Sequence, residues 1–197
     1  MKRPVAKPGR RVAPHRGTEE HESRLVLRER DTGIEIYRTW EMPNRYTFGM
    51  KSVSRLLRVE MEGTWADPFS GRYSTAQIRN DADEMNDAEY HLDGLEFLNK
   101  LPDASVEGVL FDPPYSVEQA LRKYRAKRNG TAGRAEYQAR CKDEIARVVK
   151  PSGKAICFGW NSAGIGKTRG FRLEKVLLIC HGACHNDTIV TVERRIG

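Results

Sequence analysis

Short apolar segments alternate with segments of helical spacing from about residue 50 to the end of the chain. The strand-like segments, each followed by Asp, Gly or Pro or by a short polar turn, are 64–66, 76–78, 90–92, 106–111, 155–158, 176–180 and 188–192. The helix-like segments are 50–61, 95–101, 117–124 and 136–149. Strands that alternate with helices form a mostly parallel sheet with helices on both faces. The alternation therefore predicts an α/β domain built on one sheet.

The two ends of this pattern differ from its middle. The last two strand-like segments are joined by residues 181–187 only, which is too short for a crossover helix, so we expect them to pair antiparallel. Ahead of the pattern, residues 24–40 alternate weakly around Asp31-Thr32-Gly33, which predicts a small hairpin-like element before the main domain. The expected sheet thus has seven strands and ends in an antiparallel hairpin.

The first 16 residues contain six Lys or Arg, three Pro and no acid. Such a segment cannot bury a core, so we expect residues 1–23 to be a basic, flexible N-terminal tail. The remainder, 24–197, has a suitable length for a single domain. The tail is either a solubilising leader or an arm that contacts DNA.

The chain of 197 residues has a formal net charge of +7, which favours an anionic partner. Nucleic acid is the usual one, although ribosome-associated and membrane-surface proteins share this balance. No apolar run approaches the ~20 residues that cross a bilayer, and the basic N-terminus lacks the apolar stretch of a signal peptide. We therefore expect no membrane association, a cytoplasmic location and reduced cysteines.

The most specific motif is Asp112-Pro113-Pro114-Tyr115, which directly follows the apolar segment 106–111. Open α/β sheets bind ligands at the carboxyl ends of their strands. A carboxylate and a backbone carbonyl can accept both N–H groups of an exocyclic base amine, and the prolines stiffen the turn that aims the carbonyl of Pro113. Tyr115 offers a face on which an extruded base can stack. These four residues are the predicted catalytic centre; the alternative is a proline-rich turn with Asp112 as a cap.

A second motif, Asp67-Pro68-Phe69-Ser70-Gly71, ends the first predicted strand of the main sheet. A strand that ends in Asp before a glycine turn lets backbone N–H groups approach the carboxylate of a ligand. Asp81, after the next strand, is placed to bind ribose hydroxyls, and Asp93, after the third, to accept from the adenine amine of a cofactor. For Asp81 and Asp93, a cap or turn role is the alternative.

Residues 122–134 carry six Lys or Arg, two glycines and no acid. Next to the catalytic tetrapeptide, a basic loop of this kind suits phosphate contacts, with a solvated surface loop as the alternative. The candidate substrate-binding residues are Arg122, Lys123, Arg125, Lys127, Arg128, Trp160 and Asn161. The last two follow the fifth strand at the same edge, where Trp160 either stacks on base or cofactor or packs at the rim.

The run Cys180-His181-Gly182-Ala183-Cys184-His185 contains two Cys and two His. Such dense spacing strains a tetrahedral zinc site, and no second ligand pair lies elsewhere in the sequence. The sequence therefore predicts no metal site.

The motifs together resemble the amino-group DNA methyltransferases, and most of all the small adenine-specific enzymes of bacteriophages and prophages. The similar segments, which span roughly residues 38–194, are 38–44 with Thr47-Phe48, 67–71, 112–115, 158–162 and 185–190. The resemblance implies S-adenosyl-L-methionine as methyl donor, a Rossmann-like methyltransferase fold and a flipped base as acceptor. It also implies that Asp67, Phe69 and Gly71 line the methionine end of the cofactor.

Three departures from that family change what we expect. Arg72-Tyr73 stand where a second glycine is usual, and the stretch from Asp67 to Asp81 leaves little room for a helix. The chain also has no room for a separate target-recognition domain, which predicts relaxed sequence specificity or recognition through a partner, for example in a homodimer. The resemblance implies adenine N6 as the preferred acceptor, because the family's adenine enzymes favour Asp at the first position of the tetrapeptide, where Asp112 stands, and its cytosine enzymes more often have Ser there. Cytosine N4, RNA, a protein amide nitrogen and a catalytically silent nucleic-acid-binding module remain alternatives.

Overall fold

The structure is a computed structural model that describes residues 33–114, 135–182 and 185–197, together with the backbone of residues 27–28. Several sequence-predicted features lie outside these described residues. They are the tail 1–23, Tyr115, the helix predicted at 117–124 and the basic loop 122–134.

One eight-stranded sheet and three α-helices make up the described part of the chain. The strands are β1 (Leu27–Arg28), β2 (Glu35–Trp40), β3 (Trp65–Asp67), β4 (Ile78–Arg79), β5 (Val106–Phe111), β6 (Val149–Gly159), β7 (Phe171–Cys180) and β8 (Thr188–Arg195). The helices are α1 (Lys51–Glu60), α2 (Gly94–Lys100) and α3 (Ala135–Val148). The spatial order of the strands is β1-β2-β7-β8-β6-β5-β3-β4.

Most strands of the sheet point in one direction. The pairs β2–β7, β5–β6, β3–β5 and β3–β4 are parallel, and β8 runs antiparallel to both β6 and β7. Strands β2 to β7 therefore all end at the same side of the sheet, which we call the carboxyl edge. The predicted α/β sheet and its C-terminal antiparallel hairpin are confirmed.

Two sequence predictions about the sheet are wrong in part. The strand predicted at 90–92 is reduced to a single bridge between Tyr90 and Asn80, because Leu92 donates its N–H to the side chain of Asn80 and α2 begins at Gly94. The hairpin predicted within 24–40 does form between β1 and β2, but β2 also pairs with β7 and so belongs to the main sheet. The sheet consequently has eight strands instead of seven.

Helices cover both faces of the sheet. The residues of β5 alternate between two buried clusters, so that Val109 and Phe111 pack on the side of α2 and α3 and Leu110 packs on the side of α1. Alternation of this kind is what a central strand buried on both faces requires. Of the helices in the described ranges, none has the length and apolar character to cross a bilayer.

Candidate active site at the carboxyl edge

The turn after β5 is held inside the protein. Asp112 is 8% exposed and both prolines that follow it are buried. The carbonyl of Pro114 accepts a hydrogen bond from Nε2 of Gln138 on α3, with an N–O distance of 3.3 Å. The central strand thus carries a carboxyl group to the carboxyl edge, as the sequence predicts, and α3 braces the turn. Tyr115 lies outside the described residues.

Asp67 ends the neighbouring strand β3 and is completely buried. Its carboxylate accepts from the N–H of Phe69 at 2.9 Å and from the hydroxyl of Ser74 at 2.6 Å. Burial raises the pKa of Asp67 to about 7, and the nearby charges of Asp112 and Asp81 add to the rise. The ends of β3, β4 and β5 therefore bring three carboxyl groups close together.

The loop after β3 turns back on the end of β4. Gly71 has a φ of 54°, in the left-handed region that favours glycine. Its N–H donates to Oδ2 of Asp81 at 2.8 Å, while Oδ1 of Asp81 accepts from the N–H of Asp83 at 2.8 Å. Asp81 is 1% exposed. The contact with a ribose that we predicted for Asp81 stays a prediction.

Asn80 organises the same loop, and sequence reasoning missed it. Its Nδ2 donates to the carbonyls of Pro68 at 2.9 Å and Leu92 at 3.0 Å, and its Oδ1 accepts from the N–H of Leu92 at 2.9 Å. A fully buried side chain with three such bonds ties the loop after β3 to the segment that enters α2. A single asparagine at a strand end gives no signal in the sequence that could have identified this role.

Asp93 is the N-cap of α2. Its Oδ1 accepts from the N–H groups of Leu95 and Glu96 and from the hydroxyl of Tyr137 on α3, the last at 2.8 Å. Burial raises the pKa of Tyr137, so this phenol stays protonated and remains a donor. The structure thus shows the capping role that was the alternative for Asp93, and its contact with a cofactor adenine stays a prediction.

The other predicted cofactor-binding residues of the loop after β3 are buried, and they differ in what their side chains contact. The ring of Phe69 lies in the core, 5.9 Å from the ring of Phe111 between centroids, and a Cβ on Gly94 would approach it to 2.5 Å. Ser70 is fully buried, and its hydroxyl has no hydrogen-bond partner among the described residues. Buried hydroxyls normally have a partner, so this group fits a polar atom of a ligand. The three neighbouring carboxyl groups fit a ligand that carries positive charge.

The loop after β6 carries Trp160 and Asn161, both exposed at the carboxyl edge. A buried acid that the sequence did not reveal holds this loop. The carboxylate of Glu193 on β8 accepts from the N–H groups of Ile165 at 2.5 Å and Gly166 at 3.1 Å. Gly164 has a φ of 53°, and a Cβ there would lie 2.1 Å from Glu193. The loop therefore requires both the acid and the glycine.

The predicted phosphate-contacting residues Arg122, Lys123, Arg125, Lys127 and Arg128 lie outside the described residues.

Among the residues that the structure does describe, no group of three or more His, Cys, Asp or Glu is arranged to hold a metal ion. Both ring nitrogens of His181 are engaged, one with the carbonyl of Glu41 and the other with the hydroxyl of Thr188.

Comparison with known proteins gives one sequence relative and a set of structural neighbours. No protein-family model matches the chain. The type II methyltransferase M.BamHI of Bacillus amyloliquefaciens is 28% identical over 76 residues, which is 37% of this chain and 18% of that protein. The chain thus matches less than a fifth of that relative's length.

Two of the similar solved structures share the fold of this chain over about three quarters of its length. One is the Burkholderia thailandensis 1,6-didemethyltoxoflavin-N1-methyltransferase with bound 1,6-didemethyltoxoflavin and S-adenosylhomocysteine. It has a TM-score of 0.51 and 11% identity over 75% of this chain and 78% of its own. The other is a SAM-dependent methyltransferase of Methanosarcina mazei, with a TM-score of 0.50 and 10% identity over 72% of this chain and 97% of its own. The chain has the Rossmann-like fold of the S-adenosylmethionine-dependent methyltransferases.

Proposed function

We propose that this protein transfers the methyl group of S-adenosyl-L-methionine to an exocyclic amino group of a base in DNA, with adenine N6 as the first acceptor. The observation that carries the proposal is the position of Asp112-Pro113-Pro114. The tripeptide ends the central strand of a methyltransferase fold and lies beside the buried carboxyl group of Asp67. The similarity to a type II methyltransferase agrees with it.

The residues at the ends of β3 and β4 fit the proposed cofactor. S-adenosylmethionine carries a sulfonium and an ammonium cation, which would offset the three neighbouring carboxyl groups of Asp67, Asp81 and Asp112. The turn at Gly71 and the unpartnered hydroxyl of Ser70 supply polar groups for its carboxylate. When bound, the cofactor supplies an electrophilic methyl group on sulfur.

The catalytic task left to the protein is to make a weak nucleophile reactive. The lone pair of an exocyclic base amine is delocalised into the ring. If the carboxylate of Asp112 and the carbonyl of Pro113 accept its two N–H bonds, the nitrogen moves toward tetrahedral geometry and its lone pair becomes available. Attack of this nitrogen on the methyl group would leave S-adenosylhomocysteine as the thioether, and the proton lost by the amine would pass to the carboxylate of Asp112 or to solvent. Positioning of the two reactants supplies the rest of the rate enhancement.

The test is incubation with methyl-labelled S-adenosylmethionine and unmethylated duplex DNA, followed by digestion to nucleosides and mass spectrometry. We expect labelled N6-methyladenine with the wild-type protein and none with Asp112→Ala. Asp103→Ala is a matched control, because Asp103 is an exposed acid that pairs with Arg147 away from the carboxyl edge. A label on cytosine N4 would correct the acceptor and keep the class of reaction.

RNA and a protein extract would be tested in the same way. Labelled RNA or protein without labelled DNA would overturn the DNA assignment. A protein that binds neither S-adenosylmethionine nor S-adenosylhomocysteine in calorimetry would be a silent module with this fold, and the proposal would be wrong.

A further inference from the structure

Two large apolar side chains stand exposed at the far end of the carboxyl edge from Asp67. Trp40, the last residue of β2, is 63% exposed, and Met42 is 60% exposed. β2 lies next to β7 in parallel register, with Trp40 opposite Cys180. The two side chains therefore belong to the edge at which the strands of the candidate active site also end.

The backbone that carries these side chains is firmly held. Buried His181 at the end of β7 bonds through Nδ1 to the carbonyl of Glu41 at 2.7 Å and through Nε2 to the hydroxyl of Thr188 at 2.9 Å. In the neutral ring Nδ1 carries the proton, because a carbonyl can only accept. The N–H of Glu41 donates to the carbonyl of Cys180 at 3.1 Å. Trp40 and Met42 thus flank a residue that β7 and β8 fix in place.

The side chain of Glu41 fixes the same segment from the other side. Its carboxylate accepts from the N–H groups of Lys51 at 2.7 Å and Ser52 at 3.0 Å and from the hydroxyl of Ser52 at 2.5 Å, so that it caps α1. Although burial opposes the effect, the hydrogen bonds from Ser52 and Lys51 hold the pKa of Glu41 below its ordinary value. An aromatic ring presented on such a rigid support loses little conformational freedom when a ligand stacks on it.

The segment that carries Trp40 contains more cations than acids. Between residues 38 and 51 the sequence contains the cations Arg38, Arg45 and Lys51 and a single acid, Glu41. The three cations are exposed, whereas the carboxylate of Glu41 is used by the N–H groups of α1. An exposed indole on a segment with a net positive charge suits single-stranded nucleic acid, through stacking on bases and attraction to phosphates.

The segment that follows Met42 connects the exposed corner formed by Trp40 and Met42 with the loop after β3. The ring of Tyr46 packs edge-on against the ring of Tyr73, with 5.1 Å between centroids, and Phe48 packs against Phe158 of β6 at 5.3 Å. Residues 41–50 therefore cross the carboxyl edge from the end of β2 to the loop after β3. The exposed corner and the candidate active site are parts of one surface.

We propose that Trp40, supported by Met42, is a stacking platform for an unpaired base that lies several nucleotides from the methylated one in the same strand. This inference rests on the proposed function and adds a place on the chain that contacts the target. Four strand spacings separate β5 from β2 in the sheet order, which is about 19 Å along the edge. At the rise of a B-form strand this is about five or six nucleotides, and fewer in an extended strand.

The experiment measures the affinity of a fluorescently labelled single-stranded oligonucleotide for the protein in the presence of S-adenosylhomocysteine. We expect Trp40→Ala to weaken binding about 10- to 100-fold and Trp40→Phe, which keeps a ring, by less than about threefold. Ile196→Ala is the matched control, because Ile196 is half exposed just after β8, at the opposite edge of the sheet. It should leave the affinity unchanged.

Two further readouts separate stacking from a general loss of structure. Trp40→Ala should leave the affinity for the cofactor unchanged. It should also leave unchanged the slope of log affinity for the oligonucleotide against log salt concentration, because stacking releases no counterions. Arg45→Ala, by contrast, should reduce that slope by about one unit. Binding to a fully paired duplex should fall less than binding to the single strand.

The inference is overturned by wild-type affinity in Trp40→Ala, by an equal loss in Ile196→Ala, or by an equal loss for duplex and single strand. In each case methylation of DNA by the wild-type protein would leave the proposed function standing. A wild-type protein that binds S-adenosylhomocysteine but neither binds nor methylates any oligonucleotide would instead overturn the proposed function, and this inference with it.

Discussion

At one end of the carboxyl edge three carboxyl groups are buried, and at the other end two large apolar side chains are exposed. Asp67, Asp81 and Asp112 are 0%, 1% and 8% exposed, against 63% for Trp40 and 60% for Met42. Both ends depart from the usual burial of apolar groups and exposure of charged ones, and departures of this kind mark places where a ligand completes the structure. The acidic end suits a cationic cofactor, and the aromatic end suits a nucleic acid base.

The largest effect is expected at the acidic end. Asp112→Ala removes the proposed acceptor for the base amine, so the rate of methyl transfer should fall about 10²- to 10⁴-fold, while the affinity for an oligonucleotide changes by less than about threefold. Trp40→Ala should instead weaken oligonucleotide binding and so raise KM for the oligonucleotide, while kcat stays within about threefold of the wild-type value. Single-turnover rates and equilibrium binding on both variants measure this. Equal losses of affinity in the two variants would mean that the two ends do not have separate roles.

A second prediction compares the two buried side chains that brace the ends. Asn80→Ala and His181→Ala each leave buried polar groups without partners, so each should lower the free energy of unfolding by about 2–3 kcal/mol. Asn80→Ala should then weaken cofactor binding, and His181→Ala oligonucleotide binding. Denaturant unfolding and calorimetry measure both quantities. Asn99→Ala and His185→Ala, which change exposed residues of the same types, should alter stability by less than about 0.5 kcal/mol.

A smaller effect is expected between the two ends, in the loop after β6. Glu193→Gln replaces a carboxylate that accepts hydrogen bonds from the N–H groups of Ile165 and Gly166. It should lower the free energy of unfolding by about 1–2 kcal/mol and speed amide exchange at these two residues. Gly164→Ala should have the same consequence, because its Cβ would overlap the carboxylate. Hydrogen exchange measured by mass spectrometry tests both variants. Unchanged protection of residues 160–166 would show that Glu193 does not hold the loop.

A pH-dependent effect at the acidic end concerns the titration of Asp67. Burial keeps this carboxyl protonated in the folded protein up to about pH 7, whereas an unfolded Asp ionises near pH 3.9. Between those values the folded state binds more protons, so this group's contribution to the free energy of unfolding should decrease as pH rises. The slope is at most about 1.4 kcal/mol per pH unit, and it ends above pH 7. Asp67→Asn should lack this slope in denaturant unfolding measured at several pH values.

The same group predicts a pH dependence of cofactor binding. A bound cation favours the ionised form of Asp67, so the affinity for S-adenosylmethionine should rise between pH 6 and pH 8 in the wild-type protein and less in Asp67→Asn. No comparable pH dependence is expected for the contribution of Trp40 to oligonucleotide binding, because an indole does not titrate. A flat cofactor profile in the wild-type protein would remove the electrostatic argument for the acidic end.

The sequence predicted most of the central sheet and the position of the principal motif. Strand β5 has the predicted bounds, α1, α2 and α3 lie within two residues of the predicted helices, and Asp112 stands at the carboxyl edge. These predictions depend on local patterns, namely apolar alternation, helical spacing and proline stops, which a short window of sequence contains. The resemblance to DNA methyltransferases depended on the same kind of local signal.

The kind of fold and the place of the principal motif could therefore be derived from the residues alone. Folding was needed to show that β2 joins β7, which lies about 140 residues later in the chain, and that Asn80, His181 and Glu193 brace the loops of the edge. It also decided that Trp40 stands exposed beside the same edge as Asp112. The physical reason is that a polar residue acquires its role from whichever N–H and C=O groups folding brings to it, and no local period encodes those partners.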